Sequence, residues 1–433
     1  MNPGRLRALS EAYRGRGSRD DAGSGLDPRA RAVVTGPVGW TWAGTVLLAS
    51  TMALIATGVY CISLTSGLER SGLSGPALRQ AVFAGLGVVA AGVVALPHYR
   101  RAVYFVWPLA AVVVGLLVFV LIPWVPEEIV RPRNGARRWI NLGVADFQPS
   151  ELAKVAFVLV MAAYLRYRSN HRKLRGLVAP SLIAFVPMGL VLVEPDLGTA
   201  LLFMPTLIAM LIAAGARLAH LISAGALGAG FAAAVVITSL ALAPAERYPL
   251  LREHQVERIR AVMDQFTGDE RFAQERGFQG RQAMTLVGAG GLAGHAEPRS
   301  RALIHFSRLP ERHNDMIFAV FANRFGLLGV VGLLGLYAAW VGSALAVAAR
   351  CKDPFGRLVC VGFGTLVATQ MGVNVGMTLG ILPITGMTLP FVSYGGSSLL
   401  MGMVMVGLVV NVSVRRPEYL WRRSFEFDER EEG

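Results

Sequence analysis

Residues 131–154, RPRNGARRWINLGVADFQPSELAK, hold the densest group of side chains able to do chemistry. They lie between two long apolar runs, which places them at a membrane face. Arg131, Arg133, Arg137 and Arg138 supply cationic donors, and Trp139 is an aromatic of the interfacial type. Pro149 and Ser150 then start an apolar helix that carries Glu151 and Lys154 in its first turn. Three residues apart on a helix means one shared face, so the two can neutralise each other. An ionisable pair this close to hydrocarbon costs several kcal/mol unless it is paired or faces a polar cavity. The segment is therefore either an interfacial anchor with a structural ion pair or the floor of a site for an anionic ligand.

Other polar points recur at the same level. Glu194-Pro195-Asp196 sets two carboxylates beside a helix-breaking proline. Residues 310–315, PERHND, form a polar cluster at the start of an apolar helix, where Asp315 could be a cap or a site residue. Residues 380–398, GILPITGMTLPFVSYGGSS, hold two prolines and repeated glycines, which excludes a continuous helix. Irregular backbone at membrane depth is tolerated only where it lines a cavity or is buried in protein. Together these points describe a polar cavity open to one face.

The elements that must position them follow from composition. The chain has 433 residues, 54% of them hydrophobic and only 16% charged, with a mean hydropathy of +0.50. A soluble protein of this size would carry nearer a quarter charged residues. The expectation is an all-α, polytopic membrane protein. Apolar runs long enough to span recur at residues 40–64, 78–96, 103–124, 151–165, 177–193, 199–214, 219–242, 316–349, 358–378 and 398–414. That gives about ten helices within one membrane domain, residues 39–416, between a basic cytoplasmic tail (1–38) and a second tail (417–433).

Arginine and lysine placement puts both termini in the cytoplasm, because Arg100-Arg101, residues 166–175, Arg217, residues 350–357 and Arg415 then all fall inside. The net charge of +14 is spread over tails and short loops, which points to lipid headgroups and topology and away from nucleic acid. Residues 244–312, between the seventh and eighth helices, form an extracytoplasmic loop far longer than a connection requires. It is basic on the outer face, as is the 131–154 segment, which suggests an anionic partner there. Within it, residues 283–294 (AMTLVGAGGLAG) are too short to span and read as a re-entrant or interfacial element. Their glycines superficially match a dinucleotide fingerprint, but no strand precedes them. Seven histidines and three cysteines show no metal-binding spacing, and no P-loop or nucleophile elbow is present.

Four blocks resemble the SEDS family, the shape, elongation, division and sporulation proteins that include FtsW and RodA. They are NGARRWINLG…FQPSELAK, PDLGTALL, PERHNDMIFAV and NVGMTLGILPITGMTLPFVSYGGSSLL, and the similarity runs from the first helix to Arg416. The resemblance implies a peptidoglycan glycosyltransferase that polymerises lipid II on the outer face of the cytoplasmic membrane, beside a class B penicillin-binding protein transpeptidase. Lipid II joins an apolar tail, a pyrophosphate and a sugar. Arginines at headgroup depth would neutralise the pyrophosphate and stabilise it as leaving group. No cofactor is built into the sequence, although a divalent cation could assist the arginines.

A carboxylate must take the proton from the attacking hydroxyl. The family's motif for it, D-P-x-G-x-G-Y after L-[DN]-P, survives here only in part, in Val262-Met263-Asp264 and Gly277-Phe278. By position, Asp269 is the first candidate for the catalytic base and Asp264 the second. The resemblance places Arg137, Arg138 and Trp139 near the donor headgroup and matches Glu151 and Lys154 to the family's functional pair. Asp196, His313, Asp315, Ser393, Tyr394 and Gly395 match residues that line its cavity. This chain departs from the family with Glu194 for a glutamine, Asn314 for a threonine, and Asn323-Arg324 for a pair of glutamates. A lipid II flippase and a non-catalytic scaffold of the division or elongation machinery are the rival readings. A flippase would need polar residues continuing to the cytoplasmic side.

Overall fold

The computed structural model describes residues 41–65, 75–133, 136–143, 146–168, 170, 173–223, 225 and 278–415. Apolar runs become helices here because a membrane offers the backbone no other way to satisfy its polar groups. They are α1 (Trp42–Leu64), α2 (Gly75–Ala95), α3 (Ala102–Leu121), α4 (Pro149–Leu165), α5 (Val178–Val193) and α6 (Leu197–Ala213). After the long loop come α7 (Phe278–Ala289), α8 (Glu297–Phe306), α9 (Ile317–Arg350), α10 (Pro354–Thr378) and α11 (Gly396–Val414). Among the described residues, seven helices are long and apolar enough to cross a membrane, and the chain is a multi-pass membrane protein. Helices α4 and α6 are shorter, at 17 residues each. The expected helix at 219–242 lies almost wholly outside the described residues, as do both tails.

Burial separates the helices into two kinds. Along α2 the residues Leu78, Val82, Leu86, Val89 and Val93 form one exposed apolar stripe, and α5 exposes Val178, Leu182, Phe185 and Val186. Such faces belong against lipid. Helix α4 is instead buried all round from Val155 to Ala162, with Phe157 edge-on to Phe203 of α6 at 5.0 Å. Helices α4, α10 and α11 form the centre of the bundle, with α2, α3 and α5 at its edge. Close approach is bought with small residues: a Cβ on Gly407 of α11 would come within 2.5 Å of the Ala91 carbonyl oxygen of α2. Below it, the Asn411 side-chain amide donates to the carbonyls of Val94 and Pro97 at 3.0 and 2.6 Å, occupying acceptors left open where α2 ends.

Two connections differ from the sequence reading or sharpen it. The segment between α3 and α4, read from the sequence as a basic stretch at a membrane face, folds as an antiparallel sheet, β1 (Val130–Arg133), β2 (Ala136–Asn141) and β3 (Asp146–Phe147), in the order β1-β2-β3. Pairing within this short ribbon satisfies backbone groups that a loop so near the bilayer would leave open. The glycine-rich stretch at 283–294 forms α7 and a turn that wedges into α9. Helix α9 is broken at Gly326, whose φ of 63° and ψ of −166° suit glycine alone. The break frees the N–H groups of Leu327 and Leu328, which donate to the carbonyls of Gly291 and Leu292 at 2.9 and 3.1 Å. A Cβ on Gly290 would meet the Ala322 carbonyl oxygen at 2.2 Å, so this glycine serves close packing and not a dinucleotide.

Candidate functional site

On the face of the bundle that carries the sheet, a cavity of about 880 Å³ opens between α2, α4, the sheet and the residues preceding α11. Its floor is the first turn of α4. The Lys154 ammonium lies 2.8 Å from the Glu151 carboxylate and 3.3 Å from Gln370 Oε1 of α10. All three side chains are buried from bulk solvent, yet all three line the cavity. Buried charge at this depth is tolerated because the pair is matched and the amide completes its hydrogen bonding.

The sheet supplies one wall, with Arg131, Arg138, Trp139, Asn141 and Asp146. Arg138 Nε donates to the Glu194 carbonyl at 2.8 Å, a terminal nitrogen donates to the Pro195 carbonyl, and its other nitrogen lies 3.9 Å from Asp196. Asp196 caps α6, accepting from the Thr199 N–H at 3.2 Å, and accepts from Gln148 Nε2 and Ser150 Oγ at 3.1 and 3.2 Å. Arg138 therefore both clamps the α5–α6 bend and presents charge to the cavity. Glu194 at this bend is 1% exposed, and neither carboxylate oxygen has a hydrogen-bond partner among the described residues. Burial first, then Asp196, pushes its carboxyl up to about 8, with Arg138 opposing.

The opposite wall comes from the irregular chain between α10 and α11. Asn374 Nδ2 donates to the carbonyls of Asp315 and Met387 at 2.8 and 2.6 Å, tying the start of α9 to this chain. Gln80 of α2 donates to the Ser393 carbonyl at 3.0 Å and accepts from the Gly395 N–H at 3.2 Å. Tyr394 and Gly395 line the cavity, as does Asp315. Asp315 makes no side-chain cap bond to α9; burial, then the nearby Glu311, pushes its carboxyl up to about 6. The fourth wall is apolar: Leu78, Val82 and Leu86 of α2, from the stripe that faces lipid, with Arg79 among them.

The structure thus brings Arg138, Trp139, Glu151, Lys154, Asp196, Asp315, Tyr394 and Gly395 to one cavity. Three residues expected with them are elsewhere. Arg137 does not line the cavity: its guanidinium is engaged by the chain after α3, donating to the carbonyls of Pro123, at 2.7 Å, and Val125. His313 packs its ring against Tyr394 at 5.6 Å and accepts the Tyr394 N–H on its carbonyl; burial, with Arg312, holds its imidazole below the usual range against the pull of Glu311. Ser393 closes its own turn, accepting from the Leu389 N–H and donating to the Asn314 carbonyl, both at 2.7 Å. Asp264 and Asp269 lie outside the described residues.

Sequence reasoning passed over Gln80, Gln370 and Asn374. All three are amides inside apolar runs, and that cost alone marks them as residues with partners. Among the described residues no three His, Cys, Asp or Glu side chains converge on a metal-sized point.

The family description "Cell cycle protein", which covers FtsW, RodA and SpoVE, matches residues 44–418. Stage V sporulation protein E of Bacillus subtilis is 34% identical over 345 residues, 78% of this chain and 86% of that protein. A Trichlorobacter lovleyi protein named "Probable peptidoglycan glycosyltransferase FtsW" is 32% identical over 374 residues, covering 85% and 92%. Among solved structures, a chain from a peptidoglycan synthase complex that coordinates polymerization and crosslinking superposes with a TM-score of 0.70 at 30% identity, covering 88% of this chain and 99% of that one. RodA of Thermus thermophilus gives 0.59 at 28% identity, covering 87% and 97%. With a cavity built on the blocks that carried the resemblance and a match over nearly the whole chain, this protein belongs to the FtsW/RodA/SpoVE family of SEDS membrane proteins.

Proposed function

We propose that this chain is a peptidoglycan glycosyltransferase that polymerises lipid II at the outer face of the cytoplasmic membrane, for cell division or cell-shape maintenance. The observation that carries the reading is that one cavity joins a lipid-facing apolar wall to a cationic floor. Leu78, Val82 and Leu86 offer a surface for a polyprenyl tail, while Arg79, Arg131, Arg138 and Lys154 meet a headgroup at the depth of its phosphates. The relatives, a probable peptidoglycan glycosyltransferase and a chain of a peptidoglycan synthase complex, support the same activity. Both termini are cytoplasmic in this reading, and the sheet face is outside.

The reaction is an inverting transfer. The acceptor hydroxyl attacks the donor's anomeric carbon, its proton passes to a loop carboxylate, and undecaprenyl pyrophosphate leaves. Asp269 is proposed as that base, with Asp264 second; Lys154 and Arg138 neutralise the departing pyrophosphate. The partner is a class B penicillin-binding protein transpeptidase, in keeping with the neighbour drawn from a polymerising and crosslinking complex. A flippase is disfavoured by the packing below Lys154. There α4 from Val155 to Ala162 is buried and apolar, so no polar path continues along it.

The test is purified protein with its partner transpeptidase and lipid II in detergent, read as glycan chains on a gel. The expected result is chains from the wild type and none from Asp269→Ala. Wild-type chain yield from both Asp269→Ala and Asp264→Ala would overturn the assignment of the base. Absence of chains from the folded wild-type complex would overturn the activity.

A further inference from the structure

Lys154 sits on the cavity floor with an arrangement that Glu151 alone does not explain. An ammonium has three N–H donors. Glu151 pairs with it at 2.8 Å and Gln370 Oε1 accepts one of them at 3.3 Å, and the ammonium borders the cavity, where a donor can meet whatever enters. Gln370 is 3% exposed and comes from α10, 216 residues further along the chain. Its own amide nitrogen is fixed at the other end, donating to Thr388 O at 3.0 Å and Thr388 Oγ1 at 3.2 Å. With its NH₂ committed to two acceptors, the glutamine must turn its oxygen towards Lys154. Thr388 belongs to the irregular segment between α10 and α11 and itself lines the cavity.

Without Gln370, the nearest acceptor left to the ammonium is its helix neighbour. It would then be held by Glu151 alone, one turn up its own helix. The glutamine gives it a second, fixed contact and ties it to the segment that forms the far wall. Gln370 donates nothing to the substrate in this arrangement, so its contribution runs through the lysine.

We infer that Gln370 is a positioning residue which, braced by Thr388, fixes the direction of the Lys154 ammonium beside Glu151 and keeps it aimed at an anionic group of the bound substrate. This rests on the glycosyltransferase reading above for the identity of that group, a phosphate of the lipid-linked donor, but the geometry it asserts does not.

The experiment compares Gln370→Met, which keeps volume and removes the acceptor, with Thr388→Val, which removes only the hydroxyl brace. Each is measured in the complex with the partner transpeptidase for KM and kcat with lipid II, and by mass spectrometry for acylation of Lys154 by a small amine-reactive ester. Lys154 is one of three lysines in the chain, so its peptide is read without ambiguity. Losing one hydrogen bond to a charged group predicts a fall in kcat/KM of roughly 10-fold or more for Gln370→Met, carried by kcat because Lys154 stabilises the departing pyrophosphate. Thr388→Val moves the same way by a smaller factor, and the Lys154 labelling rate changes in both. Unchanged kcat/KM and unchanged labelling in folded Gln370→Met would overturn the inference, as would a fall in kcat/KM with labelling as in the wild type. Should Gln370→Met not fold, Thr388→Val decides alone: wild-type kcat/KM and labelling there overturn it. Labelling does not depend on turnover, so a wild type that makes no glycan would end the functional reading while leaving this one open to decision.

Discussion

Two ion pairs sit at opposite faces of the bundle, one buried and one partly exposed, and they are built for different ends. On the sheet face, Glu151 and Lys154 lie 2.8 Å apart beneath the large cavity. On the other face, Arg100 and Asp353 lie 3.2 Å apart where α3 begins and α10 begins. Every group around the second pair has local work. Asp353 caps α10 by accepting from the Gly356 N–H at 3.1 Å, and His98 caps the turn Tyr99–Arg101. Tyr99 stacks on Phe355 at 6.5 Å, and burial with the surrounding arginines holds the His98 imidazole down at about 4. Neither Arg100 nor Asp353 lines the large cavity. The comparison teaches that a matched charge pair is not itself a site. What distinguishes the Lys154 pair is its place on the floor of that cavity.

The largest effect that would test this is at Lys154. Lys154→Met should lower polymerisation by at least ~100-fold, as removal of a stabilising group near developing charge does. It should also lower stability, because an unpaired buried carboxylate costs about 3–5 kcal/mol. The double variant Glu151→Gln/Lys154→Met should regain most of the unfolding temperature and none of the activity. If it regains both, the pair is structural and the contrast fails.

Glu194 comes next. Its folded-state carboxyl lies at about 8 against an ordinary 4.5, so the native state holds a proton that the unfolded chain has lost between those values. The resulting stabilisation is complete below about pH 4.5 and disappears as pH rises through 8. Glu194→Gln should therefore match the wild type in thermal unfolding at pH 5. By pH 9 it should be the more stable by an amount on the order of a few kcal/mol. Equal unfolding temperatures at pH 9 would show that the acid is better solvated than its burial indicates.

Asp353→Ala on the opposite face should cost about 1 kcal/mol as the loss of a helix cap, since Arg100 is a quarter exposed and the pair adds little. Its glycan yield per folded molecule should stay at the wild-type level. Smallest of all is Arg137→Gln, where turnover should be unchanged while Arg138→Gln, one residue along the strand, lowers it. A drop in turnover at Arg137 equal to that at Arg138 would mean the sheet turns over when substrate binds.

Much of this was legible in the chain. The apolar runs foretold the helices, the three-residue spacing of Glu151 and Lys154 foretold their pairing, and the prolines and glycines of 380–398 foretold irregular backbone. The misses share one physical source. Arg137 and Arg138 look equivalent in the sequence and part only in their partners, the Pro123 and Val125 carbonyls for one and the α5–α6 bend for the other, and so short a sheet leaves no strong periodic signal. Ser393 and His313 sit among cavity residues in sequence, yet their atoms are taken up by the turn that presents Tyr394.

By itself the sequence determined that this chain must live in a bilayer, where its helices run, and which charged residues were too costly to be there without a reason. Those are local quantities, set by transfer free energy and helix period. Only the tertiary structure decided which charges share an empty volume, that α9 breaks at Gly326 around the α7 turn, and that an amide 216 residues away completes the lysine's coordination. Such contacts depend on how helices close on one another, and no window of neighbouring residues carries that information.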